Sequence, residues 1–202
     1  MMINIINNLA FPLRAVFMGD KGKLGLISLR EERMRFVARF CKGRTLDVGC
    51  GPDNLFIKNF IGEKNGIGID VFPYKGVENI VKDMTKIPFK NNFFDTITLI
   101  AAVSHIPRSK RIDEFAEFSR LLRPGGKLVL TEGEPFTQIL IHKWEELRKT
   151  GLDYERGMEE GEEYCVPRKE LLGYLNTPPL RFVKRVSFMW GLNNVYIAQK
   201  NE

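Results

Sequence analysis

Histidine is scarce in this 202-residue chain, which has only His105 and His142. A multi-histidine metal centre is therefore disfavoured, because catalytic zinc draws three ligands from the protein, histidine foremost. Cysteine is scarce too. Cys41, Cys50 and Cys165 are odd in number and lack metal-ligand spacing, which argues against a disulfide framework and a zinc ribbon and fits a reducing cytoplasm. No apolar run is long enough to cross a bilayer. The partly apolar start, residues 1–17, is interrupted by Asn4, Asn7 and Asn8 and lacks the basic flank and small-residue cleavage site of a secretory signal. Repeats and low-complexity tracts are absent, which sets aside solenoids and biased tails. Blocks of like charge are missing as well. The net charge of +6 is scattered along the chain, so it permits a nucleic-acid partner without making one an expectation.

What is present is ample core material. A hydrophobic content of 44% with 15 phenylalanines supports one sizeable domain. Residues 1–27 read as an N-terminal helical segment, broken near Pro12, and a basic glycine-rich connector; 28–202 read as the domain itself. Ser28 and Glu31 have capping-box spacing for a helix over 29–40. Strands are expected at 44–48, 66–70, 77–81 and 96–101, with a helix at 111–122. The run 96–101 reads as continuously apolar, as in a strand buried on both faces. Arg123-Pro124-Gly125-Gly126 marks a tight turn into a fifth strand, with both glycines at positive φ. Beyond it come a helix at 135–149, an acidic loop at 153–163, and a helix at 168–175 with Pro167 at its first position. Strands at 180–189 and 193–199 close the chain as an antiparallel pair. Alternating β and α elements of this kind make an α/β fold with a largely parallel sheet.

The stretch Thr45-Leu46-Asp47-Val48-Gly49-Cys50-Gly51-Pro52-Asp53-Asn54 organises the rest. An apolar run ends in an acid, then two glycines at alternate positions let the backbone turn sharply and approach a ligand closely. A ligand at the carboxyl end of a first parallel strand is the natural reading. Its charge follows from the residues. The dinucleotide fingerprint has a third glycine where Asn54 stands, and Asp47 and Asp53 would repel a pyrophosphate by roughly 4 kcal/mol per close pair at an effective dielectric of about 20. A ligand with an ammonium and a sulfonium would be attracted instead. Asp70, ending the second strand about 20 residues on, stands where such sites hold ribose hydroxyls.

Residues 46–51 resemble the first motif of the class I S-adenosylmethionine-dependent methyltransferases. Asp83-Met84, the Ile87-Pro88-Phe89 and Phe93-Phe94-Asp95 run, and the helix, Pro-Gly-Gly turn and strand of 121–130 are similar to that family's later motifs. The resemblance is to its small-molecule members and implies a Rossmann-like doubly wound sheet of seven strands, order 3-2-1-4-5-7-6, with strand 7 antiparallel. It implies S-adenosyl-L-methionine as cofactor, lying across the carboxyl ends of strands one, two and four. Gly49 and Gly51 would admit the amino-acid part, Asp47 would face its ammonium, Asp70 the ribose, and Asp83 and Met84 the adenine. Cys50, Val71 and Ala101 complete the expected cofactor-binding set. His105, just past strand four, is the candidate catalytic residue, taking the acceptor's proton or orienting an acceptor hydroxyl. A small-molecule acceptor is expected, roofed by residues 3–17 and 136–164. Methylation of RNA or protein, and cofactor binding without turnover, are the alternatives. The chain departs from many relatives at Asp53, where a third glycine is usual.

Overall fold

Ser28 starts the first regular helix, and its Oγ accepts the Glu31 N–H at 3.0 Å, as the capping spacing requires. The helix, α1 (Leu29–Ala38), carries the Glu31–Arg35 ion pair one turn along its surface at 2.8 Å. It buries Met34 and Val37 against the sheet. The computed structural model describes Arg14, residues 26–136, 138–139 and 160–202, and the single residues Lys143, Leu147 and Met158. The helices expected at 1–18 and 135–149 and most of the 153–163 loop fall largely outside the described residues.

Seven strands follow: β1 (Thr45–Val48), β2 (Gly66–Asp70), β3 (Asn79–Ile80), β4 (Phe94–Ile100), β5 (Leu122–Gly133), β6 (Leu180–Phe188) and β7 (Asn193–Lys200). Helices α2 (Arg111–Leu121) and α3 (Arg168–Leu175) lie before β5 and before β6. The sheet order is β3-β2-β1-β4-β5-β7-β6; β1 to β5 pair in parallel, and β7 runs antiparallel to both neighbours. This is the expected order and polarity.

Several local expectations are corrected. The third strand is two residues long rather than five, because it is a sheet edge that pairs only with Ile69 and Asp70. β5 begins at Leu122, before the Pro-Gly-Gly turn, because Leu122 pairs with Phe94 and a register shift between Phe94 and Thr96 absorbs the turn as an irregularity in the strand. Only Gly125 of the two glycines there has positive φ (+73°). Gly126 serves by lacking a Cβ, which would stand 2.8 Å from the Arg123 carbonyl. Pro167 caps α3 from outside, with φ −56° and ψ 133°, rather than occupying its first turn.

The two sheet faces are chemically different. On one, Leu46, Ile97, Leu99, Leu128 and Leu130 pack with Phe115, Phe118 and Leu121 of α2 and with Leu171 and Leu175 of α3. The alternate residues of the central strands, Thr45, Asp47, Thr96, Thr98 and Thr131, are also buried but polar. Thus β4 is covered on both faces, yet it is not apolar throughout. Its threonines serve hydrogen bonds across the sheet, Thr98 to Asp47 and Thr96 to the Lys42 carbonyl.

Candidate active site

The carboxyl ends of β2, β1, β4 and β5 lie side by side, and the backbone leaves β1 and β4 through residues at positive φ. After β1, Gly49 has φ +70° and Gly51 has φ +65° with ψ −173°. The Gly51 region is essentially closed to residues with a Cβ. A Cβ on Gly49 would stand 2.8 Å from the Ala102 methyl, so this turn touches the exit of β4. The Gly49 and Cys50 N–H groups both donate to the Ile69 carbonyl, at 2.9 and 3.1 Å. Beyond them the chain forms a tight turn, Pro52–Asn54, with Asp53 and Asn54 at positive φ, then a short π-helical turn, Ile57–Ile61, closed by the Gly62 N–H on the Ile57 carbonyl. The chain after Asn54 is thus helical over residues 55–61, most of it wound as a π turn.

Asp70 holds this turn in shape. It is buried, with Oδ2 accepting the Gly51 N–H at 2.9 Å and Oδ1 accepting the Phe72 N–H at 2.9 Å. Asp53 N–H donates to the Lys75 carbonyl at 2.8 Å, tying the loop after β2 to the same turn. Val71 and Phe72 stand exposed beside Asp70, an apolar pair at the rim. Asp47 lies deeper. Its Oδ1 accepts the Thr98 hydroxyl at 2.6 Å, and burial pushes its carboxyl up to about 7 against the Thr98 bond, with Asp70 adding and Arg30 opposing. Burial likewise raises the Cys50 thiol, with Asp47 and Asp70 adding.

Two expected site residues have firm local duties. Asp83 is exposed, and its Oδ1 accepts both the Thr85 N–H (3.0 Å) and the Thr85 hydroxyl (2.6 Å), which holds its carboxyl below the usual range. The Met84 side chain is in the core, leaving its backbone for any ligand contact. At the end of β4, Ala101 takes φ +53°, and its N–H donates to Thr131 Oγ1 at 2.8 Å. A non-glycine residue in that region costs about 1–3 kcal/mol and collects at functional sites.

Next comes the turn Val103–His105. His105 Nδ1 lies 3.4 Å from Glu162 Oε2. Segment 161–166 is clasped to this turn through Glu163 N–H to the Ser104 carbonyl (3.1 Å) and Arg108 N–H to the Gly161 carbonyl (3.0 Å). The fully buried Arg111 secures the clasp, donating to Glu163 at 2.6 Å, Glu170 at 3.0 Å and the Ile106 carbonyl at 3.0 Å. On the other side of the glycine turn, Arg30 Nη2 lies 3.1 Å from where a Gly51 Cβ would stand.

Arg30, Glu162 and the buried Glu132 of β5 were not among the sequence candidates. Arg30 is one of many scattered cations. Glu132 did carry a signal: a carboxylate two residues past the apolar run Leu128-Val129-Leu130, in a strand buried on both faces, needs a reason to be there.

Comparison with known proteins bears on the edge just described. The family described as "Methyltransferase domain" matches residues 46–130. The ubiquinone/menaquinone biosynthesis C-methyltransferase of Stutzerimonas stutzeri is 32% identical over 81 residues, 38% of this chain and 31% of that protein. A probable tRNA methyltransferase of Homo sapiens is 29% identical over 92 residues, 42% of this chain and 20% of that protein. This chain thus spans a third or less of the length of these curated relatives. In fold it is similar to an N-methyltransferase of Bradyrhizobium japonicum solved with S-adenosyl-L-homocysteine, with TM-score 0.61, 15% identity, and 97% and 99% of the two chains covered.

Proposed function

We propose that this chain, whose residues 46–130 match the family described as "Methyltransferase domain", binds S-adenosyl-L-methionine at the carboxyl edge of its sheet and transfers the methyl group to a small-molecule acceptor. The observation that carries this reading is the Gly51 turn, held by the Asp70 carboxylate and faced by Arg30 on its other side. The cradle fits the amino-acid end of the cofactor, because the positions that must be approached closely have no Cβ. Arg30 supplies a cation for a carboxylate, and Asp47 lies below for an ammonium. Asp70 retains acceptor lone pairs for ribose hydroxyls, and Val71 and Phe72 offer apolar cover to a purine. Asp83 and the Met84 backbone lie toward the adenine end, while Cys50 and Ala101 frame the turn. Bound there, the sulfonium supplies a methyl carbon with a good leaving group, so holding the acceptor in line and excluding water supply much of the rate. His105 stands on the acceptor side, beyond β4, where its imidazole orients the acceptor's polar group.

A small acceptor is favoured over RNA by the carboxylates around the β5 exit, where Glu134, Glu160, Glu162 and Glu163 stand beside Arg108 and Lys110 of the segment after β4. A phosphate backbone needs lysine and arginine there. The test is thermal stability with and without ligand. S-adenosyl-L-homocysteine at about a hundred times its dissociation constant should add roughly 2.7 kcal/mol, a readily measured rise in Tm. NAD should add far less. A rise with NAD and none with the adenosyl ligand would overturn the proposal.

A further inference from the structure

Glu132 is a buried carboxylate of this edge that the cofactor cradle does not use; the equally buried side chain of Glu162 is engaged with His105. Glu132 is the second-last residue of β5, 4% exposed, and sits one residue past Thr131, the partner of Ile100 at the end of β4. Neighbouring strands are about 4.8 Å apart, so Glu132 lies one strand spacing from Ala101 and about 10 Å, two spacings, from the Gly49 turn. A cofactor with its amino-acid end on Gly49–Gly51 and its adenosine toward β2 leaves its sulfur reachable only from the β4 and β5 side. Among the described residues, His105, Glu134, Glu162 and Cys165 also stand at those two exits, but Glu132 is the titratable side chain carried by the strand end itself.

The groups facing Glu132 come from every element packed around it. The Val166 N–H donates to its Oε1 at 3.4 Å, and the Cys165 thiol, which donates to the Gly133 carbonyl at 3.5 Å, lies beside it. Arg33 of α1 and His105 lie within electrostatic reach and lower its proton affinity. Glu134 and Glu163 lie around Cys165. Burial outweighs these cations and pushes the Glu132 carboxyl up to about 7, where it can gain or lose a proton near neutrality.

Resting on the methyltransferase reading, we propose that Glu132 is a catalytic residue, facing the sulfur from β5 and taking the proton of an acceptor that attacks through an N–H or O–H group. In that step the acceptor's lone pair forms the new bond to carbon. The carbon–sulfur bond breaks with its electrons left on sulfur, and the acceptor's proton passes to the Glu132 carboxylate. Charge is conserved: one sulfonium and one carboxylate become a thioether and a carboxylic acid. His105, held beside Glu162, then has the orienting role and not the proton-accepting one.

The test needs no acceptor. S-adenosyl-L-methionine and S-adenosyl-L-homocysteine differ only in the methyl group that gives the sulfur its charge, so the difference in protons released on binding reports what faces that sulfur. Isothermal titration at pH 7 in two buffers of different ionisation enthalpy measures it. A positive charge at close range drives a carboxylic acid that is half protonated near pH 7 to ionise, releasing about 0.3–0.5 proton more with the sulfonium ligand than with the thioether. The excess should vanish in Glu132→Gln, which keeps an acceptor for the Val166 N–H. In the wild type it should vanish at pH 9, where the carboxyl is already ionised, and at pH 7 it should persist in Asp47→Asn, which removes the other carboxyl of the edge raised to about 7, so the inference stands testable even if Glu132→Gln fails to fold. Equal release by the two ligands, or an excess that survives in Glu132→Gln, overturns the role of Glu132 alone. Absence of binding by either ligand overturns the methyltransferase reading with it.

Discussion

Replacing Asp70 separates the fold's use of this carboxylate from the ligand's. Its two oxygens each accept one backbone N–H: Gly51 in a buried bond and Phe72 in a half-buried one, both at 2.9 Å. A hydrogen bond to a charged group contributes about 1.5–3 kcal/mol, and a buried donor left unpaired costs about as much. Asp70→Ala removes both acceptors at once. With the buried bond dominating, it should lower stability by about 2–4 kcal/mol. At a urea m-value of about 2 kcal/mol/M, the unfolding midpoint falls by about 1–2 M. Asp70→Asn keeps one acceptor oxygen and should lose about half as much. Under conditions where both variants remain folded, affinity for S-adenosyl-L-homocysteine should fall by a further 1.5–3 kcal/mol in the alanine variant, about 10- to 150-fold. Urea unfolding followed by circular dichroism, paired with isothermal titration, reads the two effects separately. An alanine variant as stable as the wild type would refute the claim that Asp70 shapes the glycine turn. A destabilised variant with undiminished affinity would confine the carboxylate to that structural duty.

Three more expectations follow from the same geometry. Arg30→Met should weaken S-adenosyl-L-homocysteine binding about tenfold while sparing 5′-methylthioadenosine, which lacks the amino-acid carboxylate; equal losses for both ligands would remove Arg30 from the site. Burial raises the carboxyls of Asp47, Glu114 and Glu132 to about 7, above their unfolded values near 4, so folding binds protons between those limits and stability must fall as pH rises from about 4 through 7. Thermal melting should show a Tm several degrees higher at pH 5 than at pH 8, with the gap reduced in Asp47→Asn, and a Tm that climbs over this range would contradict the assignment. Arg111→Met removes the buried guanidinium from Glu163, which is partly exposed, and from Glu170, which keeps Tyr174 and Arg108, and should cost about 1–3 kcal/mol in chemical denaturation, with no measurable loss if the pairs contribute nothing.

The pattern of strands was legible because each carries its own punctuation. β2 matches its expected span residue for residue, since Gly66-Ile67-Gly68-Ile69 alternates cleanly and ends in Asp70. The same holds for the capping of α1 by Ser28. β4 was less transparent. Its threonines occur in an otherwise aliphatic run, and only the neighbouring Asp47 shows why buried hydroxyls are needed there. Asp83 illustrates a different limit: the letters that suit an adenine contact equally suit the turn in which its carboxylate holds Thr85. Arg30 and Glu162 were invisible for a third reason. Each acts across a distance in sequence, Arg30 on the Gly51 turn and Glu162 on a histidine 57 residues away, and nothing adjacent to either residue marks it.

The central claim, that the carboxyl edge from β2 to β5 is where the adenosyl cofactor binds, is tested most directly by a crystal structure grown with S-adenosyl-L-homocysteine. The account predicts density with the purine beside Val71 and Phe72, the ribose hydroxyls on Asp70, and the amino-acid carboxylate on the Gly51 turn facing Arg30. It predicts the sulfur directed over Ala101 toward Glu132. Density at any other place on the protein, or a carboxyl edge left empty at saturating ligand, would contradict it.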